Sequence, residues 1–166
     1  ILKDLSAHPV DQPKTINEKL GTYYASFMDE KAVEAVGAKP LEAEIAIIHQ
    51  IKDLKTFVQF SGASATTFGS SPFSVDVDVD AKDPTQYALS IDQAGLGMPD
   101  RDNYLKPEFA SKKAAYQAYV TKLLTLVHWA DPAKSAADIV AFETEIAKVH
   151  WARTELRDPD KTYNPM

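Results

Sequence analysis

The chain has 166 residues, of which 45% are hydrophobic and 25% are charged, as is ordinary for a globular protein. Its formal net charge of −6 argues against a nucleic-acid partner, which normally needs a concentrated basic face. No run of about 18 apolar residues is present, so we expect no membrane span in this segment. The absence of cysteine excludes a disulfide framework and thiolate chemistry.

The start of the chain indicates a trimmed or partial protein. It begins at Ile1 rather than at methionine, so we expect it to be mature, trimmed or cut from something longer, with any targeting signal outside it. Residues 1–10 are interpreted as the frayed end of an element. At this length the chain is one domain, or a piece of one, with room for a hydrophobic core.

The first long helix is predicted from a capping box. Thr15 and Glu18 have the required spacing, and apolar residues then recur at helical intervals, namely Ile16, Leu20, Tyr23 and Phe27. Gly21 lies inside this helix, where glycine costs about 1 kcal/mol relative to alanine. We therefore expect another part of the chain to approach closely at Gly21.

Three more short helices are predicted before residue 62. Asp29 suits the N-cap of one that ends at Gly37. Pro40 suits the first turn of the next, and Asp53 the N-cap of the last, which we expect to end near Gly62. Residues 61–72 are rich in Ser, Thr and Gly and are interpreted as a loop.

Two alternating segments then predict an antiparallel hairpin. Residues 73–80 alternate Val with Asp, residues 85–91 alternate again, and the segment from Asp80 to Pro84 has the composition of a turn. This alternation places the valines on the core side and three aspartates, Asp76, Asp78 and Asp80, on the solvated side. Because an isolated hairpin is marginally stable, we expect it to lie on helices.

A loop and a helix pair follow the hairpin. Residues 92–104, Asp-Gln-Ala-Gly-Leu-Gly-Met-Pro-Asp-Arg-Asp-Asn-Tyr, form a loop that its Asp and Arg side chains can order. Pro107 opens a long helix, and Asp131-Pro132 supplies an N-cap and a first-turn proline for the next. So short a connection predicts an antiparallel pair. The expected stripes are Tyr116, Val120, Leu123 and Val127 on the first helix, and Ile139, Phe142, Ile146 and Val149 on the second.

Few residues invite a metal-site interpretation. The Asp-x-Asp-x-Asp run at residues 76–80 resembles the opening of an EF-hand, but Ala81 and Tyr87 stand where that loop needs Gly and Glu. The four histidines, His8, His49, His128 and His150, do not form His-Glu-x-x-His, so we expect solvated or capping roles for them.

Nucleophile and cofactor motifs are equally absent from the sequence. Gly-x-Ser-x-Gly does not occur near Ser61 or Ser71, and Asp100 replaces the third glycine of a dinucleotide fingerprint that begins at Gly95. Glu143, with Glu145 and Lys148, is interpreted as the polar face of a helix. We therefore predict no catalytic, metal-binding or cofactor-binding residue in this segment.

The loop at residues 95–104, Gly-Leu-Gly-Met-Pro-Asp-Arg-Asp-Asn-Tyr, resembles a segment of a known family. Zinc metallopeptidases of the neprilysin and endothelin-converting-enzyme type carry Gly-Leu-Pro-x-Arg-Asp-Tyr-Tyr there, with Met98 and Asn103 as departures. Residues 24–29 and 37–41, the hairpin, and the tail at residues 157–166 are similar in order and spacing. The lack of cysteine looks more like a bacterial member than an animal ectoenzyme.

This resemblance implies that residues 1–166 are one segment of the mainly α amino-terminal cap domain of a two-lobed peptidase. The family holds its zinc with His-Glu-x-x-His and a downstream Glu in a separate catalytic domain, and neither motif is present here. We expect this segment alone to be inactive, and the parent to hydrolyse peptides. Its implied role is to wall the peptide cavity and dock on the carboxy-terminal zinc domain.

The residues support docking in one further way. Tyr24, Tyr119, Leu124, Leu126 and Trp129 fall off the main apolar stripes of their helices, so they either face a partner or pack on the hairpin and short helices. Two alternatives to the cap stay open: a free-standing helical binding or scaffold module, and a small calcium- or ligand-binding protein built on the hairpin. A periplasmic or exported parent is expected from the family alone.

Overall fold

The computed structural model describes residues 1–65 and 71–165 and divides the chain into two compact units, residues 1–46 and 47–166. The described part is mainly helical with one two-stranded antiparallel sheet, which confirms the predicted fold class. The interpretation of residues 1–166 as one segment of a single cap domain stays a prediction.

The first unit is built from short helices. They are α1 (Leu2–Ser6), α2 (Ile16–Phe27), α3 (Glu30–Val36) and the start of α4 (Glu42–Ile48), with a 3-10 turn at Lys39–Leu41 before α4. The capping box of α2 is confirmed, since Thr15 accepts from the Glu18 amide and Glu18 accepts from the Thr15 amide. The Asp29 cap and the Gly37 stop of α3 are confirmed as well.

The neighbour predicted at Gly21 is α1. Gly21 is buried, and a Cβ added to it would overlap the backbone carbonyl of Leu5. Glycine therefore lets α1 and α2 approach more closely than any other residue would allow.

The second unit holds the hairpin and the long helices. Its elements are α5 (Leu54–Ala65), β1 (Phe73–Val79), β2 (Tyr87–Gln93), α6 (Asp102–Leu105), α7 (Ala110–Leu126), α8 (Pro132–Val149) and α9 (Pro159–Thr162). A 3-10 turn at Pro107–Phe109 precedes α7. Helices α7 and α8 form the predicted pair: Tyr116 contacts Glu143, and each lies about three turns from the connection, as an antiparallel arrangement requires.

Two predicted boundaries and one predicted side-chain cap are wrong. Helix α5 continues to Ala65 because Gly62 has no positive φ and does not end it, so residues 61–65 are not loop; residues 66–70 lie outside the described ranges. Strand β2 runs two residues past Ile91, since Asp92 and Gln93 pair with Ser74 and Phe73. Asp131 adopts a left-handed conformation at φ 46° and its side chain makes no capping hydrogen bond.

The inner face of α8 also differs from the prediction. Its buried residues are Ala136, Val140 and Ala147, whereas Phe142 is 54% and Val149 77% exposed. The two alanines let neighbouring segments approach the helix axis, and Met98 and Tyr104 pack on Ala147. The core therefore joins residues 96–105, loop and α6 together, to the helix pair.

Candidate functional site

Glu143 binds two tyrosine hydroxyls at the centre of the second unit. Tyr104 donates to Glu143 Oε2 at 2.8 Å and Tyr116 donates to Oε1 at 3.0 Å. The Tyr104 hydroxyl also accepts from the Met98 backbone N–H at 2.8 Å. These four residues, which we name the tyrosine–glutamate cluster, fix the loop at residues 95–104 against α7 and α8.

The electrostatics of this cluster keep both tyrosines protonated. Burial raises the pKa of Tyr104 well above its usual value, and the Glu143 carboxylate adds to that effect. Burial and the hydrogen bond to Glu143 raise the pKa of Tyr116 to about 12. Since both hydroxyls act as donors to one carboxylate, the arrangement suits anchoring rather than proton transfer near neutral pH.

A second feature beside the cluster is a cleft of about 330 Å³, which we name the Arg101 cleft. Its lining comes from the end of β2, the loop, and the residues after α8. Met98, Trp151 and Leu156 give it apolar surface, and Arg101, His150 and Arg153 give it basic groups. Burial lowers the pKa of His150, opposed by a hydrogen bond with the Ala94 backbone, and the Arg101 charge lowers it further.

The carboxylates next to Arg101 in sequence are bound to other groups. Asp100 Oδ2 lies 3.3 Å from Arg153 Nε, and Asp100 Oδ1 accepts from the Asp102 amide at 2.8 Å. Asp102 in turn pairs with Lys106 at 2.8 Å. Arg101 Nε is buried and has no hydrogen-bond partner among the described residues.

Gln93 lines both this cleft and a second one. Its side-chain amide donates to the Trp151 carbonyl at 3.2 Å and accepts from the Trp151 N–H at 2.7 Å. The second cleft, of about 420 Å³, continues past Trp151 along Ile91 and Val149. The segment after α8 is thus held to the end of β2 by a pair of hydrogen bonds.

One face of the hairpin is apolar and largely exposed among the described residues, and we name it the apolar hairpin face. The register places six residues on it as three cross-strand pairs, Val75 with Ile91, Val77 with Leu89, and Val79 with Tyr87. Val77 is 68%, Leu89 65% and Tyr87 78% exposed. Among the described residues, the prediction that the valines face a core is therefore wrong for Val77 and Val79, which are exposed, whereas Val75 is half-buried.

The three hairpin aspartates do not act alike. Asp76 and Asp78 are exposed, as predicted for a solvated face. Asp80 instead accepts hydrogen bonds from the Lys82 and Asp83 amides and from the Tyr163 hydroxyl, so it joins the turn to the tail. Its pKa is held below the usual value, first by the Lys82 amide.

The four histidines lie in separate places. His8 and His128 are exposed, and His128 has a positive φ of 55°. His49 stacks on Trp129 with ring centroids 4.6 Å apart, so Trp129 packs on a segment before α5. His150 ends α8 and lines the Arg101 cleft. Among residues 1–65 and 71–165, no group of three or more His, Asp or Glu side chains is placed to hold a metal ion.

Other predicted features are also located. Ser61 is 2% exposed inside α5, and Ser71 is buried beside the start of β1. Tyr119 and Leu126 are exposed, in keeping with apolar surface beyond the core stripe of α7. No helix in the described ranges combines the length and the hydropathy needed to cross a bilayer.

Sequence reasoning missed Glu143. The predicted polar face groups Glu143 with Glu145 and Lys148. Those two are exposed and form a surface ion pair at 2.6 Å, whereas Glu143 is half-buried. One signal was available: Glu143 follows Ala136 and Val140 and precedes Ala147 at i, i+4, i+7 and i+11, which is the buried stripe of the helix. A carboxylate on such a stripe requires hydrogen-bond donors from other elements.

Comparison with known proteins finds similarity over the whole length of the chain. All of residues 1–166 match the amino-terminal model of peptidase family M13. The chain is 28% identical to the endothelin-converting enzyme homolog of Locusta migratoria, over 100% of this chain and 25% of that protein.

Two solved structures are also similar, both of the zinc metalloprotease ZMP1 of Mycobacterium tuberculosis. The open state is 35% identical with a TM-score of 0.79, covering 98% of this chain and 26% of that one. The inhibitor complex is 33% identical with a TM-score of 0.80, covering 98% and 25%. These matches confirm the resemblance stated from the loop and tail, and the bacterial source of ZMP1 agrees with the expected bacterial type. The chain spans about a quarter of the length of these relatives.

Proposed function

Because the chain belongs to peptidase family M13, we propose that it forms part of the amino-terminal helical cap of a zinc metallopeptidase that hydrolyses peptides. In the complete protein this segment walls the cavity in which peptides are cut. It also docks on the carboxy-terminal catalytic domain of the same polypeptide.

The proposal assigns the zinc to another part of the parent protein. The described residues do not fit a zinc ion, because no three potential ligands converge and the sequence has no cysteine. ZMP1 is a zinc metalloprotease about four times as long as the matched segment, which leaves room for a separate metal domain in such a protein. The segment by itself supplies shape and contact area and is inactive.

The apolar hairpin face is the observation that carries the docking. Six apolar side chains point to one side of a two-stranded sheet, and a hairpin of this kind needs cover on one face to be stable in water. The opposite face carries Asp76 and Asp78, so only one side of the hairpin suits burial. Of the possible covers, the catalytic domain is the one we propose, since relatives carry about three quarters of their length outside the matched region.

The test uses the full-length parent protein with variants on the two faces of the hairpin. Leu89→Lys and Val77→Lys place a charge on the apolar face, and Asp76→Lys places the same side chain on β1 but on the solvated face. We expect the first two to lower the melting temperature and the rate of cleavage of a quenched fluorescent peptide. Asp76→Lys should change both quantities little.

Three outcomes would contradict the proposal. If Leu89→Lys behaved like Asp76→Lys, the apolar hairpin face would not be a docking surface. If the full-length protein cleaved no peptide, a binding module without catalysis would take the place of the peptidase. If it cleaved the peptide equally well after removal of metal by a chelator, the assignment of zinc to the parent protein would fail.

A further inference from the structure

The guanidinium of Arg101 lacks a counter-charge in the described part of the chain. It lies in the sequence Asp-Arg-Asp, yet Asp100 binds Arg153 and Asp102 binds Lys106. Arg101 Nε is buried without a hydrogen bond. Residues 66–70, outside the described ranges, contain no acidic side chain that could serve. The Arg101 side chain as a whole is half-buried. A donor withdrawn from water without a partner costs free energy, so such a site points to an anion supplied from elsewhere.

The surroundings of Arg101 indicate which anion fits. The Arg101 cleft has a volume of about 330 Å³, which is more than a carboxylate group alone would fill. Trp151, Leu156 and Met98 give the cleft apolar surface. A guanidinium presents parallel N–H donors that match a carboxylate. A ligand group with an apolar body and one carboxylate would therefore contact the apolar lining of the cleft and also pair with the Arg101 guanidinium.

We propose that the Arg101 cleft is a carboxylate-binding site in which the Arg101 guanidinium binds the anion and Trp151 and Leu156 contact the apolar group attached to it. The carboxylate comes either from an acidic side chain of the parent polypeptide outside this segment or from a free carboxylate ligand. The site is separate from the apolar hairpin face, and the inference does not depend on the proposed function.

The first arm of the test measures the melting temperature of the full-length protein. Arg101→Met keeps the apolar stem and removes the charge, Arg101→Lys keeps the charge, and Lys122→Met removes a charge from the exposed surface of α7 as a matched control. If Arg101 is paired with a side chain of the protein itself, Arg101→Met lowers the melting temperature, Arg101→Lys recovers part of the loss, and Lys122→Met has little effect. If the guanidinium has no partner in the full-length protein, Arg101→Met leaves the melting temperature unchanged or raises it, because the variant removes a partly desolvated charge.

The second arm measures binding of sodium benzoate by titration calorimetry, with benzamide as the uncharged isostere. A site open to free ligands binds benzoate and not benzamide, and Arg101→Met weakens benzoate binding about tenfold or more, as expected for loss of a charge-assisted hydrogen bond. A site filled by the protein's own carboxylate binds neither, and the first arm then carries the result.

Two results would overturn the proposal. One is a melting temperature that is unchanged or raised by Arg101→Met together with no benzoate binding. The other is benzoate binding that Arg101→Met leaves intact, because that would locate the anion away from the guanidinium.

Discussion

The Tyr104 hydroxyl donates to Glu143 Oε2 at 2.8 Å, which joins α6 to α8 through two residues that are 39 positions apart in the chain. Glu143 accepts a second hydroxyl, from Tyr116, with its other oxygen. One carboxylate thus satisfies donors from two elements while packed beside a core of Met98 and Ala147. These contacts hold residues 95–104 against α7 and α8.

Removal of Glu143 should destabilise the full-length protein. Glu143→Ala leaves two partly buried hydroxyls without their acceptor, a loss of about 2–3 kcal/mol on the scale of hydrogen bonds to charged groups. Glu145→Ala is the matched control on the same helix, because its exposed pair with Lys148 is worth about 0–1 kcal/mol. Thermal unfolding of both variants checks the difference, and equal melting temperatures would show that the cluster does not hold the loop.

Gly97 should not tolerate a side chain. A Cβ at residue 97 would overlap the Tyr116 hydroxyl and lie 2.7 Å from Tyr116 Cζ. Gly97→Ala should therefore cost about 1–3 kcal/mol, the range for overpacking. Tyr116→Phe removes the hydroxyl, so the double variant should lose less stability than the sum of the two single variants. Strict additivity in urea unfolding would argue against the contact.

Gly21 should behave differently from another helical glycine. Alanine has the higher helix propensity by about 1 kcal/mol, yet a Cβ at Gly21 would overlap the Leu5 carbonyl. Gly62, also within a helix, has no described atom within 4 Å of an added Cβ. We expect Gly21→Ala to lower the melting temperature and Gly62→Ala to raise it slightly. The same sign for both would mean that α1 does not pack on α2 at Gly21.

Alkaline pH should weaken the tyrosine–glutamate cluster. The pKa of Tyr116 is raised to about 12 in the folded chain, against about 10 when unfolded. Above pH 10 the unfolded chain releases a proton that the folded chain retains, so stability falls as pH rises from about 10 to 12. Tyr116→Phe lacks this contribution. The melting temperature of the parent sequence should fall more steeply than that of the variant between pH 9 and 11.5, and parallel curves would refute the shift.

Local signals predicted the local structure well. The Thr15–Glu18 capping box, the Asp29 cap, the Gly37 stop and the assignment of β1 as a strand each depend on residues within a few positions, and each is confirmed. Gly21 was informative as well, since an unfavourable residue inside a helix has a packing cause.

Long-range relations were not accessible in the same way. Glu143 finds its partners 27 and 39 residues away, and no periodicity specifies that Tyr104 and Tyr116 converge on it. Arg101 lacks an ion pair among the described residues because Asp100 pairs with Arg153 and Asp102 pairs with Lys106. Those pairings depend on the three-dimensional arrangement and cannot be deduced from the Asp-Arg-Asp sequence. The valines of β1 alternate as a core strand should, but alternation does not say where the cover comes from.

The uncovered hairpin has a consequence for biosynthesis. Residues 73–93 leave the ribosome well before any catalytic domain that follows them, and at about 5–20 residues per second the delay amounts to roughly tens of seconds. During that time the exposed side chains of Val77, Tyr87 and Leu89 form an apolar surface that favours aggregation of nascent chains. The negative charges of Asp76 and Asp78 on the reverse side would repel a second hairpin from that side. Chaperones that bind nascent chains would bind the apolar hairpin face.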